Sequence, residues 1–187
     1  VAAVAATDSH VAEEALSLIH VEYEPLPAVF DIEEAMKPGA PILHEHWSGV
    51  DGVGDGPGGP TNVANYDLQT VGNVDEGFSA ADLVIEREFR TRAVHQGYIE
   101  PLTATAQWSP DDRLTLWCSS QGHFGIRENT ARIIGVPVSR IKVVPMEIGG
   151  GFGGKIATYL EPVVAVLSRK SGRPVRITMT RGEVFEA

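Results

Sequence analysis

The chain has 187 residues, of which 43% are hydrophobic, so it can form one large domain or two small ones with a buried core. Its formal net charge of −10 argues against a nucleic-acid partner, and no apolar run approaches the ~20 residues that cross a bilayer. The single cysteine, Cys118, excludes an internal disulfide, a self-contained iron–sulfur site and a four-cysteine zinc site, and it favours the reducing cytoplasm.

Residues 1–44 are predicted to form a small unit of mixed helix and strand. Thr7, Asp8 and Ser9 can cap a helix, and the apolar residues that follow recur at helical spacing. The predicted elements are a strand over VAAVAA (1–6), a helix over about 9–19, a strand over HVEYE (20–24) and a short helix over DIEEAM (31–36). Because the chain starts inside an apolar strand pattern and stops at GEVFEA without a closing element, we expect a segment of a longer polypeptide.

Residues 45–77 are predicted to be a glycine-rich linker, because residues 45–62 carry six glycines and two prolines without a period. Four side chains in and beside this stretch could be drawn as a metal site: His44, His46, Asp51 and Asp55. Their spacing matches no defined ligand pattern, and aspartates in glycine-rich loops are ordinary turn formers. A metal site is therefore the weaker interpretation of this stretch.

Residues 78–187 mix strands and helices, which indicates an α/β or α+β fold. Apolar and charged residues alternate along ADLVIEREFRTR, which is typical of a strand with one solvent-exposed face, although Arg87 interrupts the apolar face. TATAQW and LTLWCSS flank SPDDR, a type I turn sequence, and so predict a hairpin. The predicted elements are strands over 81–92, 103–108 and 114–120, a helix over 122–135, a strand over 140–148, a helix over 161–172 and a strand over 173–181.

The stretch IGGGFGGK (148–155) has five glycines in six positions, which is costly to order unless the backbone must approach something closely. It fits the start of a phosphate loop and the dinucleotide fingerprint alike, so neither match is specific. A phosphate loop needs Ser or Thr after Lys155, where the chain has Ile156, and an immediate helix, whereas Pro162 indicates a later helix start. A tight strand-to-helix connection without a ligand is a further alternative.

Charge is unevenly distributed along the chain. Residues 1–119 hold 5 basic and 20 acidic residues, a net charge of −15, and residues 120–187 hold 10 basic and 5 acidic residues, a net charge of +5. The positive part contains the glycine loop. A local positive field would suit an anionic ligand there, although a solvated basic surface explains the charge equally well.

Three motifs together resemble a known family. IGGGFGGK after a strand, preceded by SSQGHFGIR and HQGYIEP, is similar to the molybdenum-cofactor-binding large subunit of the xanthine dehydrogenase/aldehyde oxidase family, which includes aerobic carbon monoxide dehydrogenase. The opening VAAVAATDSHVAEEALSLIHVEYEPLPAV resembles the α/β hammerhead domain that precedes the cofactor domain in those subunits. The resemblance implies the C-terminal part of a hammerhead domain (1–44), a linker (45–77) and the N-terminal part of a mixed-sheet molybdopterin-binding domain (78–187).

The resemblance also implies roles for individual residues. The Gln121 amide would donate a hydrogen bond to an oxo ligand of molybdenum, and Phe152 would wall the molybdenum site. A polar residue at a helix entry and plain core packing are the respective alternatives. Arg127 would pair with a cofactor phosphate or with a nearby carboxylate. The implied cofactor-binding residues are Gln121, Gly122, Gly150, Gly151, Phe152, Gly153 and Arg127, with Gln121 and Phe152 in the vicinity of the metal.

Ile156 stands where purine-oxidising members of that family place a glutamate. An apolar side chain cannot make the glutamate's hydrogen bond to a purine, so purine oxidation is disfavoured, and an aldehyde, another N-heterocycle or carbon monoxide remains open. His95, Gln96, Glu100 and Pro101 match a segment of the family without an evident chemical role. A buried Glu100 satisfied by backbone N–H groups is as reasonable as a catalytic one.

For the whole molecule, the resemblance implies a molybdenum hydroxylase that oxidises a carbon centre of a small molecule with water as the oxygen source. It implies molybdenum on molybdopterin, in the cytosine dinucleotide form, with iron–sulfur clusters and FAD on partner subunits or domains of a homo-oligomer of heteromers. The family's general-base glutamate lies downstream, so no catalytic residue is expected in this segment, and the segment alone is expected to be inactive. The alternatives are a non-catalytic assembly segment without cofactor and, more remotely, a phosphate-loop nucleotide binder.

Overall fold

A computed structural model describes residues 1–45, 61–64 and 67–187 of the chain. Within these ranges the chain forms six α-helices and four strands, and none of the helices is long and apolar enough to cross a membrane. In chain order the elements are α1 (Ser9–Ser17), α2 (Ile32–Ala35), α3 (Val74–Ala80), β1 (Thr103–Trp108), β2 (Leu114–Cys118), α4 (His123–Ile134), β3 (Ile141–Pro145), α5 (Glu161–Ser171), β4 (Val175–Thr178) and α6 (Arg181–Glu186).

The chain divides into two compact units, one of Val1–Val21 with Thr91–Ala187 and one of Glu22–Arg90. All four strands belong to the first unit and form one mixed sheet in the order β3-β2-β1-β4. β1 pairs antiparallel with β2 and with β4, whereas β2 pairs parallel with β3. This mixed α/β architecture confirms the predicted fold class, while the predicted boundaries at residues 44 and 77 remain predictions.

The β1–β2 hairpin forms as the turn sequence predicts. The N–H of Asp112 donates to the carbonyl of Ser109 over 3.0 Å and closes the β-turn around Pro110. Asp112 then takes φ +59°, and the N–H of Ser109 donates to the carbonyl of Arg113 over 2.8 Å. A left-handed residue after a type I turn is the usual way to return the chain into a hairpin, and aspartate tolerates that conformation.

The core lies between one face of the sheet and helices α4 and α5. Ala104 and Ala106 on β1 are fully buried, and their small side chains let α5 lie directly on the central strand. The indole N–H of Trp108 donates to the carbonyl of Ala165 over 2.8 Å and ties the end of β1 to α5. The buried cluster consists of Ala104, Ala106, Leu114, Leu116, Cys118, Ile126, Ala131, Ile141, Val164 and Ala165.

The two long helices, α4 and α5, are each followed by a glycine that ends the helix. Gly135 after α4 has φ +70° and Gly172 after α5 has φ +65°, left-handed conformations that close a helix without a Cβ clash. Pro162 lies in the first turn of α5, where its missing N–H costs nothing. The predictions for these helices are confirmed to within one residue at each end.

Three predicted strands are absent from the described ranges. The segments 1–6, 20–24 and 81–92 make no strand ladder, and Leu83 and Phe89 expose 74% and 89% of their surface. The alternation of apolar and polar residues along a segment indicates which face of a strand would be buried. A strand also needs a neighbouring strand to pair with its backbone hydrogen-bonding groups. Among the described residues these segments have no such neighbour, so the strand predictions are wrong.

Two helices were missed by the sequence patterns. α3 crosses the end of the predicted linker at residue 77. It is capped by the side chain of Asn73, and Gly77 in its middle hid the helical pattern. α6 begins with a capping box in which Thr180 and Glu183 bond each other's backbone N–H groups, and Val184 is fully buried. The strand predicted over 173–181 included Thr180 and Arg181, where this capping box and α6 begin. The residues 181–186 therefore form a helix where the sequence patterns predicted none.

The unit of Glu22–Arg90 is organised around one amide. The side chain of Asn62 donates to the carbonyls of Ala35 and Pro41, each over 2.9 Å, and accepts from the N–H of Leu43 over 2.9 Å. Of the four side chains considered for a metal site, only His44 lies in the described ranges, and His46, Asp51 and Asp55 lie outside them. Within those ranges no three His, Cys, Asp or Glu side chains group as metal ligands.

Two isoleucines on α4 test the position of the core. Ile126 exposes 1% of its surface and Ile133 exposes 60%. We expect Ile126→Ala to lower the free energy of unfolding by about 2–5 kcal/mol, because it leaves a cavity under the sheet. Ile133→Ala, on the same helix, should stay within about 0.5 kcal/mol of the wild type. Urea unfolding followed by circular dichroism measures both, and equal losses would contradict this core.

Candidate functional site

Gln121 and the glycine loop (Gly149–Gly154) meet at one edge of the sheet. β2 and β3 run parallel, with Cys118 level with Pro145, so the segments that follow both strands leave the same edge. The backbone N–H of Gln121 donates to the carbonyl of Lys155 over 2.9 Å, which joins the two segments. The carboxyl edge of parallel strands is where open α/β sheets bind ligands.

The side-chain amide of Gln121 is oriented by the loop. Its Oε1 accepts hydrogen bonds from the N–H groups of Gly153, over 3.0 Å, and Lys155, over 3.4 Å. A backbone N–H can only donate, so the oxygen must face the loop, and the NH₂ group is left as the free end of the amide. No described residue accepts a hydrogen bond from that NH₂ group, so two N–H donors remain available to a ligand.

Four of the five glycines lie so close to other parts of the protein that an added methyl group would collide or crowd. A methyl group at position 149 would lie 2.6 Å from Cβ of Glu100, and one at position 151 would lie 2.5 Å from Oε1 of Gln121. A methyl group at 150 would lie 3.2 Å from Cβ of Tyr98, and one at 154 would lie 2.7 Å from Cε1 of the same ring. The loop therefore packs on the segment 96–100 and on Gln121 at distances that only glycine permits.

Gly153 differs from the other glycines of the loop. Its φ is +91°, which is unfavourable for any residue with a Cβ, but apart from its chain neighbours no described residue has an atom within 4 Å of a methyl group placed there. Phe152 beside it has φ +50° and exposes 75% of its surface. An exposed phenylalanine in a left-handed conformation is strained, and such strain gathers at functional sites. Its exposure contradicts the alternative that Phe152 is a core residue.

Lys155 at the end of the loop is fully buried and ion-paired. Its Nζ donates to Oε2 of Glu100 over 2.7 Å and lies 4.9 Å from the centre of the Tyr98 ring. The lysine of a phosphate loop must reach a bound phosphate. Because this ammonium group already has an anionic partner inside the protein, the geometry argues against a phosphate loop.

Glu100 is ionised by these contacts. Partial burial opposes the charged form, but the hydrogen bonds from Lys155 and from the N–H of Gly149, with the charge of Lys155, outweigh it and lower the pKa of the Glu100 carboxyl. The N–H of Gly149 donates to Oε2 of Glu100 over 2.6 Å. The sequence had singled out Glu100 without a role. Neither Tyr98 nor the burial of Lys155 was predicted, because both depend on contacts across more than fifty residues of chain.

Arg127 forms no ion pair with a carboxylate among the described residues, and its predicted pairing with a cofactor phosphate remains a prediction. Its Nε and one terminal nitrogen donate to the carbonyl of Val138, over 3.2 and 2.9 Å, and so fix the chain that leads into β3. Arg127 still borders an open cleft of ≈ 720 Å³ between the start of α4 and β3, together with Gln121, Gly122 and Lys142. Helix α4 starts at this cleft without a side-chain cap.

The other predicted residues lie beside the loop. Gly122 packs against Ile156, since a methyl group at 122 would lie 3.1 Å from the carbonyl oxygen of Ile156. The side chain of Ile156 is 57% exposed. Nε2 of His123, at the cleft, is buried without a hydrogen-bond partner among the described residues. The structure thus brings together Gln121, Gly122, Ile156 and the loop, while two of the five N–H donors of Arg127 bond the backbone.

Residues 56–187 match the family model described as the molybdopterin cofactor-binding domain. The chain belongs to this family.

Relatives of the molybdopterin cofactor-binding domain support this assignment along the whole chain. A probable xanthine dehydrogenase subunit from Bacillus subtilis strain 168 is 36% identical over 183 residues, which are 98% of this chain and 23% of the relative. Reconstituted CO dehydrogenase from Oligotropha carboxidovorans has 33% identity and a TM-score of 0.73, covering 95% of this chain and 22% of that one. Quinoline 2-oxidoreductase from Pseudomonas putida 86 has 31% identity and a TM-score of 0.72, and the match covers 96% of this chain and 21% of that one. The chain spans less than a quarter of these relatives' length.

The residues at the sheet edge fit a molybdopterin group. The free NH₂ of Gln121 and the open space at Gly153 offer hydrogen-bonding groups and room beside the loop, and the buried, unpartnered Nε2 of His123 lies at the adjoining cleft. Backbone N–H groups and a neutral amide suit the oxygen- and nitrogen-rich edge of such a group without adding charge. The molybdopterin cofactor-binding domain of this chain therefore has a cradle of suitable chemistry.

The Glu100–Lys155 pair predicts an acid-sensitive component of stability. Because the folded-state pKa of Glu100 is lowered, its ionised form stabilises the fold above the ordinary value of 4.5, and this contribution is lost as the pH falls through the folded-state pKa. We expect Glu100→Gln to be less stable than the wild type at neutral pH and the gap to narrow in acid. Urea titrations at a series of pH values measure the gap, and a gap that is constant with pH would contradict this pair's contribution.

Proposed function

We propose that this chain supplies the first part of the cofactor cradle of a molybdenum hydroxylase large subunit. The observation that carries the proposal is the Gln121 amide, whose oxygen is held by two N–H groups of the glycine segment and whose NH₂ group is left for a ligand. When bound, the molybdenum group supplies the two-electron oxidation of a small substrate, with water as the source of oxygen. The protein supplies position and a defined polar environment.

Each residue has a distinct part in this proposal. Gln121 donates its amide hydrogens to an oxo ligand of molybdenum, and Phe152 forms an apolar wall beside it. Gly153, with Gly150 and Gly151, keeps the loop thin enough for its backbone to approach the pterin. Gly122 keeps the start of α4 close to Ile156. Arg127 bonds Val138 through two of its five N–H donors and offers the other three, with its positive charge, to a cofactor phosphate at the cleft.

The remainder of the enzyme lies outside this chain in our proposal. We place the general base and the rest of the cofactor cage downstream, and iron–sulfur clusters and FAD on partner subunits or domains of a homo-oligomer of heteromers in the cytoplasm. The cofactor is in the cytosine dinucleotide form, so acid hydrolysis of the purified whole enzyme should release CMP. The isolated chain should not turn over substrate. A release of AMP or GMP, or of no nucleotide, would refute the dinucleotide form.

Ile156 directs the choice of substrate in this proposal. Its half-exposed apolar side chain offers no hydrogen bond to a purine, so we favour aldehydes, other N-heterocycles or carbon monoxide. Relatives of nearly equal identity carry the names of xanthine, carbon monoxide and quinoline enzymes, so overall similarity does not discriminate among substrates. The local side chains must do so.

Replacing Ile156 tests that choice. We expect Ile156→Glu in the whole enzyme to raise kcat/KM for xanthine by about tenfold or more, because a hydrogen-bonding site discriminates more strongly than an apolar one. Ile156→Leu, which keeps the apolar surface, should leave xanthine turnover unchanged. Steady-state kinetics with an artificial electron acceptor measures both variants. Efficient xanthine turnover by the wild type would contradict the proposed substrate class.

Gly153→Val tests the cofactor role of the loop. Valine at φ +91° is strained by about 1–3 kcal/mol, and its bulk would fill the open space where we place the cofactor. We expect molybdenum per protomer to be lost while circular dichroism shows a largely intact fold. Gly172→Val at the end of α5 also places valine at a left-handed φ in open space, away from the cleft, and should keep its molybdenum. Normal molybdenum content in a well-folded Gly153→Val enzyme would mean that the loop does not hold the cofactor.

A further inference from the structure

The segment HQGYIEP (95–101) has no part in the function proposed above, yet it forms the floor of the glycine loop. Tyr98 lies beneath Gly150 and Gly154, and Gln96 also approaches Gly154, with Cδ 3.0 Å from a methyl group placed there. Cβ of Glu100 lies beneath Gly149. The loop thus rests on this segment along most of its length.

A single oxygen of this floor bonds both ends of the loop. Oε2 of Glu100 accepts from the N–H of Gly149 over 2.6 Å and from Nζ of Lys155 over 2.7 Å. The N–H of Glu100 returns a hydrogen bond to the carbonyl of Gly149 over 3.2 Å. Gly149 and Lys155, six positions apart in the sequence, are therefore both bonded to the carboxylate of Glu100. The residues between them must form an arch that leads away from this carboxylate.

The same contacts continue to Gln121. The carbonyl of Lys155 accepts from the N–H of Gln121 over 2.9 Å and from the hydroxyl of Ser120 over 3.1 Å. The N–H of Lys155 donates to Oε1 of Gln121 over 3.4 Å. Lys155 therefore bonds Glu100 through its side chain and Gln121 through its backbone, so a shift of its ammonium group would move both backbone contacts.

We propose that Glu100 is a positioning residue, whose carboxylate sets the arch of the glycine loop and, through Lys155, the orientation of the Gln121 amide. The carboxylate bonds Gly149 and Lys155 at the two ends of the loop, and in this proposal it acts on a ligand only through these residues. The proposal concerns the shape of the loop. Its consequence for molybdenum rests on the function proposed above.

A competing explanation is that Glu100 only neutralises the buried charge of Lys155. The two explanations separate in a double variant, because Glu100→Leu with Lys155→Met removes both charges and leaves neither an unpaired charge nor an acceptor at position 100. If Glu100 merely neutralises Lys155, the double variant behaves as the wild type. If Glu100 positions the loop, the double variant lacks both bonds to Oε2, and the loop is at least as free as in Glu100→Gln alone.

The test is hydrogen–deuterium exchange of the whole enzyme, read by mass spectrometry on peptides of residues 146–156. We expect exchange in this peptide to rise about tenfold or more in Glu100→Gln and in the double variant, as for the loss of a hydrogen bond to a charged group. Exchange across α5 should keep its wild-type rate in the double variant. Glu128→Gln, which removes an exposed carboxylate from α4, should change neither peptide.

Two outcomes of the exchange experiment would overturn the proposal. One is wild-type exchange at 146–156 in the double variant, which would reduce Glu100 to a counter-ion. The other is an equal rise in the loop and in α5, which would assign Glu100 to general stability. Should Glu100→Gln fail to fold because Lys155 is left unpaired, the double variant by itself decides between these results.

A spectroscopic readout tests the connection to Gln121. Glu100→Asp keeps the negative charge beside Lys155 but shortens the side chain, so it cannot hold both donors in the same geometry. We expect the enzyme to retain molybdenum and its Mo(V) electron paramagnetic resonance signal to shift, since the amide beside the metal has moved. An unchanged signal in a loaded Glu100→Asp enzyme would overturn the connection to Gln121. If the wild type holds no molybdenum, the proposed function fails, and the exchange experiment still decides whether Glu100 positions the loop.

Discussion

The parallel pairing of β2 with β3 is the constraint on which the candidate site depends. Their register sets Cys118 opposite Pro145, and the N–H of Met146 donates to the carbonyl of Cys118 over 3.3 Å just beyond the ladder. Two segments far apart in sequence must therefore leave one edge of the sheet side by side. An antiparallel pairing would send them to opposite edges, and the amide of Gln121 could not meet the glycine loop.

The glycines of the loop answer two different needs. Gly149, Gly150, Gly151 and Gly154 lie against other parts of the protein so closely that a methyl group would collide or crowd. Gly153 alone combines a left-handed backbone with open space around it. A dense run of glycines thus does not by itself indicate a ligand, since most of this run serves packing, and one position remains for close approach to a cofactor.

Buried charge explains why a phosphate-loop pattern can occur without phosphate binding. A lysine removed from water needs an ionised partner and further favourable contacts, and Lys155 has Glu100 and the face of Tyr98. This arrangement stabilises the conformation of the loop and leaves the ammonium group of Lys155 unavailable to a ligand.

The amino-acid sequence by itself determined the features that depend on neighbouring residues. The turn at SPDDR, the ends of α4 and α5 at Gly135 and Gly172, and the mixed fold class all follow from local backbone preferences. Through the resemblance to a family, the sequence also predicted that Gln121 and the glycine loop share one site. The capping box of α6 is visible in the sequence, but the strand predicted over the same residues hid it.

Only the tertiary structure decided what depends on distant partners. Alternation in 81–92 predicted a strand, but pairing needs a neighbour, and none of the described residues provides one. The burial of Lys155 and its bond to Glu100 join residues 55 positions apart, and no local pattern encodes such a distance. Backbone conformation depends largely on adjacent residues. Burial and ion pairing depend on how the whole chain folds, and these two properties decide the role of each charged side chain.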